Sequence, residues 1–181
     1  MPFGYYARLS RRQKAVYDKS DGVTQVRLSA AEPLRPLVAA LAEALAGEDR
    51  EATQLACEHL LDGLTRALGV GPVRVELLAA RPHAHWGELH SLYTEARGAR
   101  PPKITLWMRT ARQRRAVAFR TFLRTLLHEL CHHLDYRLLR LADSFHTEGF
   151  YKRESSLFHQ LMSDMENSHA DSGGADRAER N

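Results

Sequence analysis

The sequence predicts an α+β domain, and three observations predict it. Leucine-rich segments with a helical period fill the first third of the chain. Stretches with alternating apolar residues follow between Val73 and Met108. One long helical pattern then runs from about Arg115 to about Leu141. The chain has 181 residues, 44% of them hydrophobic and 27% charged, which is enough to bury a sizeable core in one domain.

The elements follow from local signals. Ser10-Arg11-Arg12-Gln13 has capping-box spacing and opens a short basic helix through Tyr17. Ser29-Ala30-Ala31-Glu32 repeats the signal, and Leu34, Leu37, Val38, Leu41 and Leu45 follow with a helical period up to Gly47. Pro33 and Pro36 fit only near the start of that helix. Asp49 caps the next helix; Leu55, Leu60, Leu64 and Leu68 form its apolar stripe, and Gly69 stops it. Val73, Val75 and Leu77 alternate as in a strand, and residues 87–94 form a second strand candidate. After the turn signal Pro101-Pro102 comes a third, Ile104 to Met108. The long helix carries Val117, Phe119, Phe122, Leu123, Leu126, Leu127, Leu130, Leu134 and Leu138 on its period. A link from Ala142 to Phe145 leads to a last helix from about Glu148 to Met162, with Leu157, Phe158 and Leu161 apolar. The domain organisation read from this is a basic N-terminal segment (1–28), the α+β domain (29–162) and a polar tail (163–181) expected to be disordered.

The long helix contains His128-Glu129-Leu130-Cys131-His132, an HExxH motif. One helical turn separates His128 from His132, so both imidazoles reach one metal ion. Glu129 falls beside the metal rather than on it, where a general base for a metal-activated water belongs. HExxH alone is a weak signal, and its context supports it here: a strongly periodic helix, a strand candidate just before it, and a third ligand after it. Catalytic zinc takes three protein ligands. His146, where the chain returns after the long helix, is the expected third, with Glu148 and Glu154 as competing carboxylates. Asp135 shares the ligand face further along and is placed as a partner of a ligand rather than as a ligand. His133 points about 100° away around the helix and is read as a non-ligand. Cys131 is read as a small buried residue. His83, His85 and His90 are read as ordinary polar positions.

The motif with His146-Thr147-Glu148-Gly149-Phe150-Tyr151 resembles the SprT-like zinc metallopeptidases, or a distinct bacterial family of the same zincin type. The resemblance covers about Val73 to Leu161. It implies a zincin-like domain in which Zn2+ is held by His128, His132 and His146, and Glu129 acts as catalytic base in peptide hydrolysis. Two features depart from the family. Thr147 and Glu148 separate His146 from Gly149, where the family tends to have His-Gly, and the C-terminal stretch has no cysteine for a zinc ribbon. In the metzincin pattern, by contrast, a glycine and a histidine would stand where this chain has Asp135 and Leu138.

On this reading the partner is a peptide or protein substrate. Ile104 to Met108, as an edge strand, would bind it by strand addition. Tyr93 or Tyr151 is a candidate phenol for the developing oxyanion. The alternative is a nucleic-acid or protein-binding module on the same scaffold with little or no catalytic activity. The net charge of +4 supports it only locally. Arg8, Arg11, Arg12, Lys14 and Lys19 cluster near the N-terminus, and Arg109, Arg112, Arg114, Arg115, Arg120 and Arg124 precede the motif. No apolar run is long enough to span a bilayer, and no signal-peptide pattern opens the chain. With two cysteines and no disulfide framework, a cytoplasmic protein is expected.

Overall fold

The computed structural model describes residues 3–80, 91–109 and 117–172. In chain order its elements are α1 (Arg11–Asp21), α2 (Arg35–Ala46), α3 (Arg50–Ala67), β1 (Arg74–Ala80), β2 (Ser91–Thr94), β3 (Lys103–Arg109), α4 (Phe119–Arg137) and α5 (Glu148–Ser172). The architecture is α+β, as the sequence predicts.

Local chemistry explains most boundaries. Ser10 and Gln13 form the expected capping box at the start of α1. Asp49 accepts from the backbone N–H groups of Glu51 and Ala52 and so caps α3. Gly69, at φ +64°, ends α3. The Val70 N–H reaches Thr65 O and the Gly69 N–H reaches Arg66 O, a Schellman closure. The capping box expected at Ser29 does not form. A 3-10 turn at Glu32–Leu34 follows Ala31 without a side-chain cap, and α2 begins only at Arg35. Pro33 and Pro36 thus each fall in the first turn of their element, where a missing N–H costs nothing. Leu55 is 51% exposed and does not join the α3 stripe, which Leu60, Leu61 and Leu64 form instead.

The sheet order is β1-β3-β2, with β1 parallel and β2 antiparallel to β3. β3 is therefore central, and Ile104 to Met108 are all buried. This corrects the expectation of an edge strand there. Pairing with β1 and β2 closes both edges of β3, and packing on both faces buries the whole apolar run. The edge of β1 is closed by α3. The Gln54 amide donates to Val75 O at 2.9 Å and accepts from Leu77 N at 2.7 Å, and Arg50 donates to Leu77 O at 3.3 Å. Side chains thus occupy the ladder positions that another strand would take. The other edge is β2, which packs against α4. Residues 87–90 of the second strand candidate lie outside the described residues.

α4 is shorter than its apolar period. It starts at Phe119 after Ala118, which offers no side-chain cap, and ends at Arg137. Arg140 takes the left-handed conformation at φ +53°, and the Leu141 N–H turns back onto Asp135 O at 2.9 Å. Leucines at 138, 139 and 141 extend the pattern through a turn that has no glycine, so the sequence gives no sign of the stop. Along α4, Phe122, Leu123, Leu126, Leu127, Leu130 and Leu134 are buried in the core shared with α2, α3, α5 and the sheet.

α5 begins at a built N-terminus. Thr147 Oγ1 accepts from Phe150 N and Asp21 Oδ1 accepts from Gly149 N, both at 2.9 Å. α5 continues past Met162 to Ser172, where the sequence reading placed the start of a disordered tail; residues 173–181 lie outside the described residues. Residues 3–28 pack into the fold, for Tyr17, Ser20, Val26 and Leu28 are buried. No helix among the described residues is long and apolar enough to cross a membrane.

The end of α1 passes so close to the start of α5 that a Cβ on Gly149 would lie 2.3 Å from Asp21 O. Backbone cannot rotate away as a side chain can. Gly149→Ala is expected to lower unfolding free energy by about 2–3 kcal/mol, the upper part of the range for overpacking. At Gly63 the nearest atom to an added Cβ is Leu34 Cδ2, at 2.7 Å, which can move. Gly63→Ala should therefore cost less, and urea denaturation of both variants measures the difference.

Candidate metal centre

α4 and the first residue after the returning link bring three imidazoles together. His146 Nε2 lies 3.0 Å from His128 Nε2 and 3.0 Å from His132 Nε2. One ligand atom from each of the three falls within 4.8 Å of those of the other two, and this is the cluster of metal-ligating residues found among the described residues. Three nitrogens bound tetrahedrally to one zinc ion at its usual bond length stand about 3.3 Å apart. The two spacings to His146 are a few tenths of an ångström tighter, so a small outward shift of the His146 ring brings them to that value.

The partners of the rings fix which nitrogen is free. Glu154 Oε2 sits 3.1 Å from His128 Nδ1. An ionised carboxylate only accepts, so Nδ1 carries the proton and Nε2 presents its lone pair. Ser144 Oγ lies 2.7 Å from His132 Nδ1 and donates its own hydrogen to Asp135 Oδ2 at 2.7 Å. With its one hydrogen committed, the hydroxyl accepts from His132 Nδ1, and again Nε2 is left free. The unprotonated Nε2 atoms of His128 and His132 therefore both lie beside His146 Nε2. Charge is disfavoured there as well: burial, then His128 and His146, depress the His132 pKa to about 3. Burial, then His128, lowers that of His146, against an opposing pull from Glu154. Neutral imidazole is the form that ligates a metal. The donor set thus fits a borderline divalent ion such as Zn2+.

Glu129 is buried at 4% exposure and lines the same cavity, of about 350 Å³, with His128, His132, His146, Ser144, Tyr136, Leu92 and Tyr93. The two competing ligands are placed elsewhere. Glu154 meets His128 on the nitrogen facing away from the cluster, and Glu148 is exposed and pairs with Lys152 at 2.7 Å. Asp135 is fully buried, bonded to Ser144 and to Arg153 Nη2 at 2.8 Å. It stands behind His132, as its position on the helix face suggested. Burial raises its pKa, while the Arg153 guanidinium and the Ser144 hydroxyl oppose the rise.

His133 is buried away from the cluster. Its Nε2–H donates to Gly71 O at 2.8 Å, which leaves Nδ1 to accept from the Tyr93 hydroxyl at 3.2 Å. The Tyr93 phenol is thereby engaged outside the centre, and burial raises its pKa to about 12. The Tyr93 ring still stacks over His132 with centroids 6.4 Å apart. Tyr151 is 42% exposed, its ring 5.9 Å from that of His146. Cys131 is fully buried, and burial pushes its thiol pKa up. His83, His85 and His90 lie outside the described residues, as do Arg112, Arg114 and Arg115.

Sequence reasoning missed Tyr136, Ser144 and Arg153. Tyr136 had a signal, since it follows His132 by one helical turn and so shares the cavity side. Ser144 and Arg153 had none. The loop carrying His146 is also held from the N-terminus: the Tyr5 hydroxyl donates to His146 O at 2.8 Å, and the Tyr5 and Tyr17 rings pack on Phe145. Of the basic residues before the motif, Arg109 pairs with Glu48, while Arg124 lies over the Phe158 ring and 3.5 Å from Glu154. Arg8, Arg11 and Arg12 are exposed.

No known protein family, curated protein or solved structure matches this chain.

The centre makes a direct prediction. The purified protein binds one zinc ion per chain, and a saturating excess of about a hundredfold over Kd stabilises it by about 2.7 kcal/mol. Thermal unfolding with and without chelator reads the shift. His146→Ala should abolish most of the shift while lowering the metal-free unfolding temperature only modestly, because the imidazole is partly open to solvent and packs on one side against Phe150 and Tyr151.

Proposed function

We propose that this protein is a zinc-dependent metallopeptidase of the zincin type, similar to the SprT-like enzymes. The observation that carries the reading is the convergence of His128, His132 and His146 Nε2 atoms in a cavity that Glu129 also lines. A zinc ion held by His128, His132 and His146 would lower the pKa of water to about 7 and would polarise a carbonyl.

The remaining work falls to side chains of the chain. Glu129, screened from bulk water, takes the proton of the attacking water and delivers it to the leaving nitrogen. Glu154, Ser144 and Asp135 hold the ligand rings in the tautomer the metal needs. β2 supplies the substrate-binding edge in place of β3. Among the described residues it pairs on one side only, and its Leu92 and Tyr93 form the cavity wall with Tyr136. An extended peptide adds to such an edge through main-chain hydrogen bonds, and apolar and aromatic walls suit its side chains.

Peptide hydrolysis is preferred to nucleic-acid binding because the three imidazoles and Glu129 line one cavity, whereas Arg109 and Arg124, among the arginines before the motif, are paired with Glu48 and Glu154. Both cysteines are free and buried, which suits a reducing compartment, and we place the protein in the cytoplasm.

Glu129→Gln tests the reading. The variant should keep its zinc, measured by metal analysis, while chelator-sensitive cleavage of casein or of the protein itself drops by two orders of magnitude or more. Full cleavage by the variant would remove Glu129 from the mechanism.

A further inference from the structure

A buried polar chain runs from the end of α1 to the metal centre. Arg153 on α5 is completely buried. Its Nη1 donates to Ser20 O at 2.6 Å and to Val23 O at 2.5 Å; its Nη2 donates to Ser20 Oγ at 3.0 Å and to Asp135 Oδ1 at 2.8 Å. The other oxygen of Asp135 receives the Ser144 hydroxyl at 2.7 Å, and Ser144 Oγ receives the Nδ1–H of His132 at 2.7 Å. Ser144 is itself held, since its N–H donates to the side chain of Asp143 at 2.9 Å.

We propose that Ser144 is a positioning residue of the metal centre, the link through which the buried Arg153–Asp135 pair fixes the ring and tautomer of His132. The proposal rests on the reading of His128, His132 and His146 as metal ligands. Its physical basis is the single hydroxyl hydrogen. Asp135 can only accept, so it draws that hydrogen toward itself and turns the Ser144 lone pair to His132. The imidazole Nδ1–H is then held in one direction, Nε2 stays unprotonated, and partial negative charge relayed from the carboxylate makes Nε2 a better donor to a cation. His128 receives the same service from Glu154 directly. His132 needs the hydroxyl between because Asp135, one helical turn further on, is turned to Arg153. The link after α4 therefore contributes two residues to the centre, the ligand His146 and the spacer Ser144.

The experiment compares full-length wild-type protein, Ser144→Ala and Ser144→Thr, each titrated with Co2+ alone and with Zn2+ against a chromophoric chelator. Losing a hydrogen-bonded partner of a ligand typically weakens metal affinity by about 10–100-fold. Ser144→Ala should weaken both metals by about tenfold or more and alter the visible Co2+ spectrum, while the metal-free protein unfolds at nearly the wild-type temperature. Ser144→Thr retains the hydroxyl and should restore affinity and spectrum. Ser144→Gly removes the same hydroxyl with room to repack, and it takes the place of Ser144→Ala if that variant does not fold. Wild-type affinity and an unchanged spectrum in the hydroxyl-free variant would overturn the positioning role and leave the metal centre standing. Absence of Co2+ and Zn2+ binding by the wild-type protein would overturn the metal centre, and this role with it.

Discussion

The ion pair between Arg153 and Asp135 is removed from solvent on both sides, and the arrangement around the three histidines depends on it. Burying two charges is expensive, and an ion pair repays that cost only when its remaining hydrogen-bonding groups are satisfied. Here Ser20 and Val23 take up the two terminal nitrogens of the guanidinium and Ser144 takes up the carboxylate, while the buried Arg153 Nε is left without a partner. One interaction therefore ties the end of α1, the C-terminal half of α4, the link after it and α5. Breaking such a pair by removing one partner costs about 3–5 kcal/mol, because the other charge is left uncompensated. The pair therefore favours one placement of α4 against α5, the helices on and just before which the histidines lie.

The neighbouring contacts act in the same direction. Gly149 lets α1 approach the start of α5 without a side chain between them, and Asp21 bonds its N–H. Tyr5 holds the carbonyl of His146 from the N-terminal side. Part of the basic N-terminal segment is thus in contact with the link that carries the third imidazole. Apolar packing along α4 supplies the bulk of the support, and the polar contacts select one geometry within it.

Much of the centre was legible because it is local. The spacing of His128, Glu129 and His132 on a helix needs no tertiary information, and Asp135 follows from the same period. His146 came from chain reach: after a helix leads away from a metal, the first histidine on the return is the natural third ligand. The less legible parts have specific causes. β3 reads as a generic apolar strand, and only pairing with β1 on one side and β2 on the other makes it central. The end of α4 is hidden because Arg140 adopts a positive φ without being glycine. The start of α4 is hidden because Ala118 offers no capping oxygen. Arg153 looks like any surface arginine on an amphipathic helix, and nothing local shows that two carbonyls and a carboxylate await it.

The sequence by itself determined the elements that depend on neighbours a few residues away: the α+β class, the capped starts of α1 and α3, the stop at Gly69, and two histidines on one helical face. Their physical basis is short-range, in backbone dihedrals, helical period and side-chain reach. Tertiary structure alone decided which strand is the open edge, that Ser144 stands between Asp135 and His132, and that Glu154 turns to the far nitrogen of His128 rather than into the cluster. Those outcomes depend on where separately encoded elements come to rest against one another, and burial, close packing and the pairing of buried charges set that placement across more than a hundred residues of chain between Ser20 and Arg153.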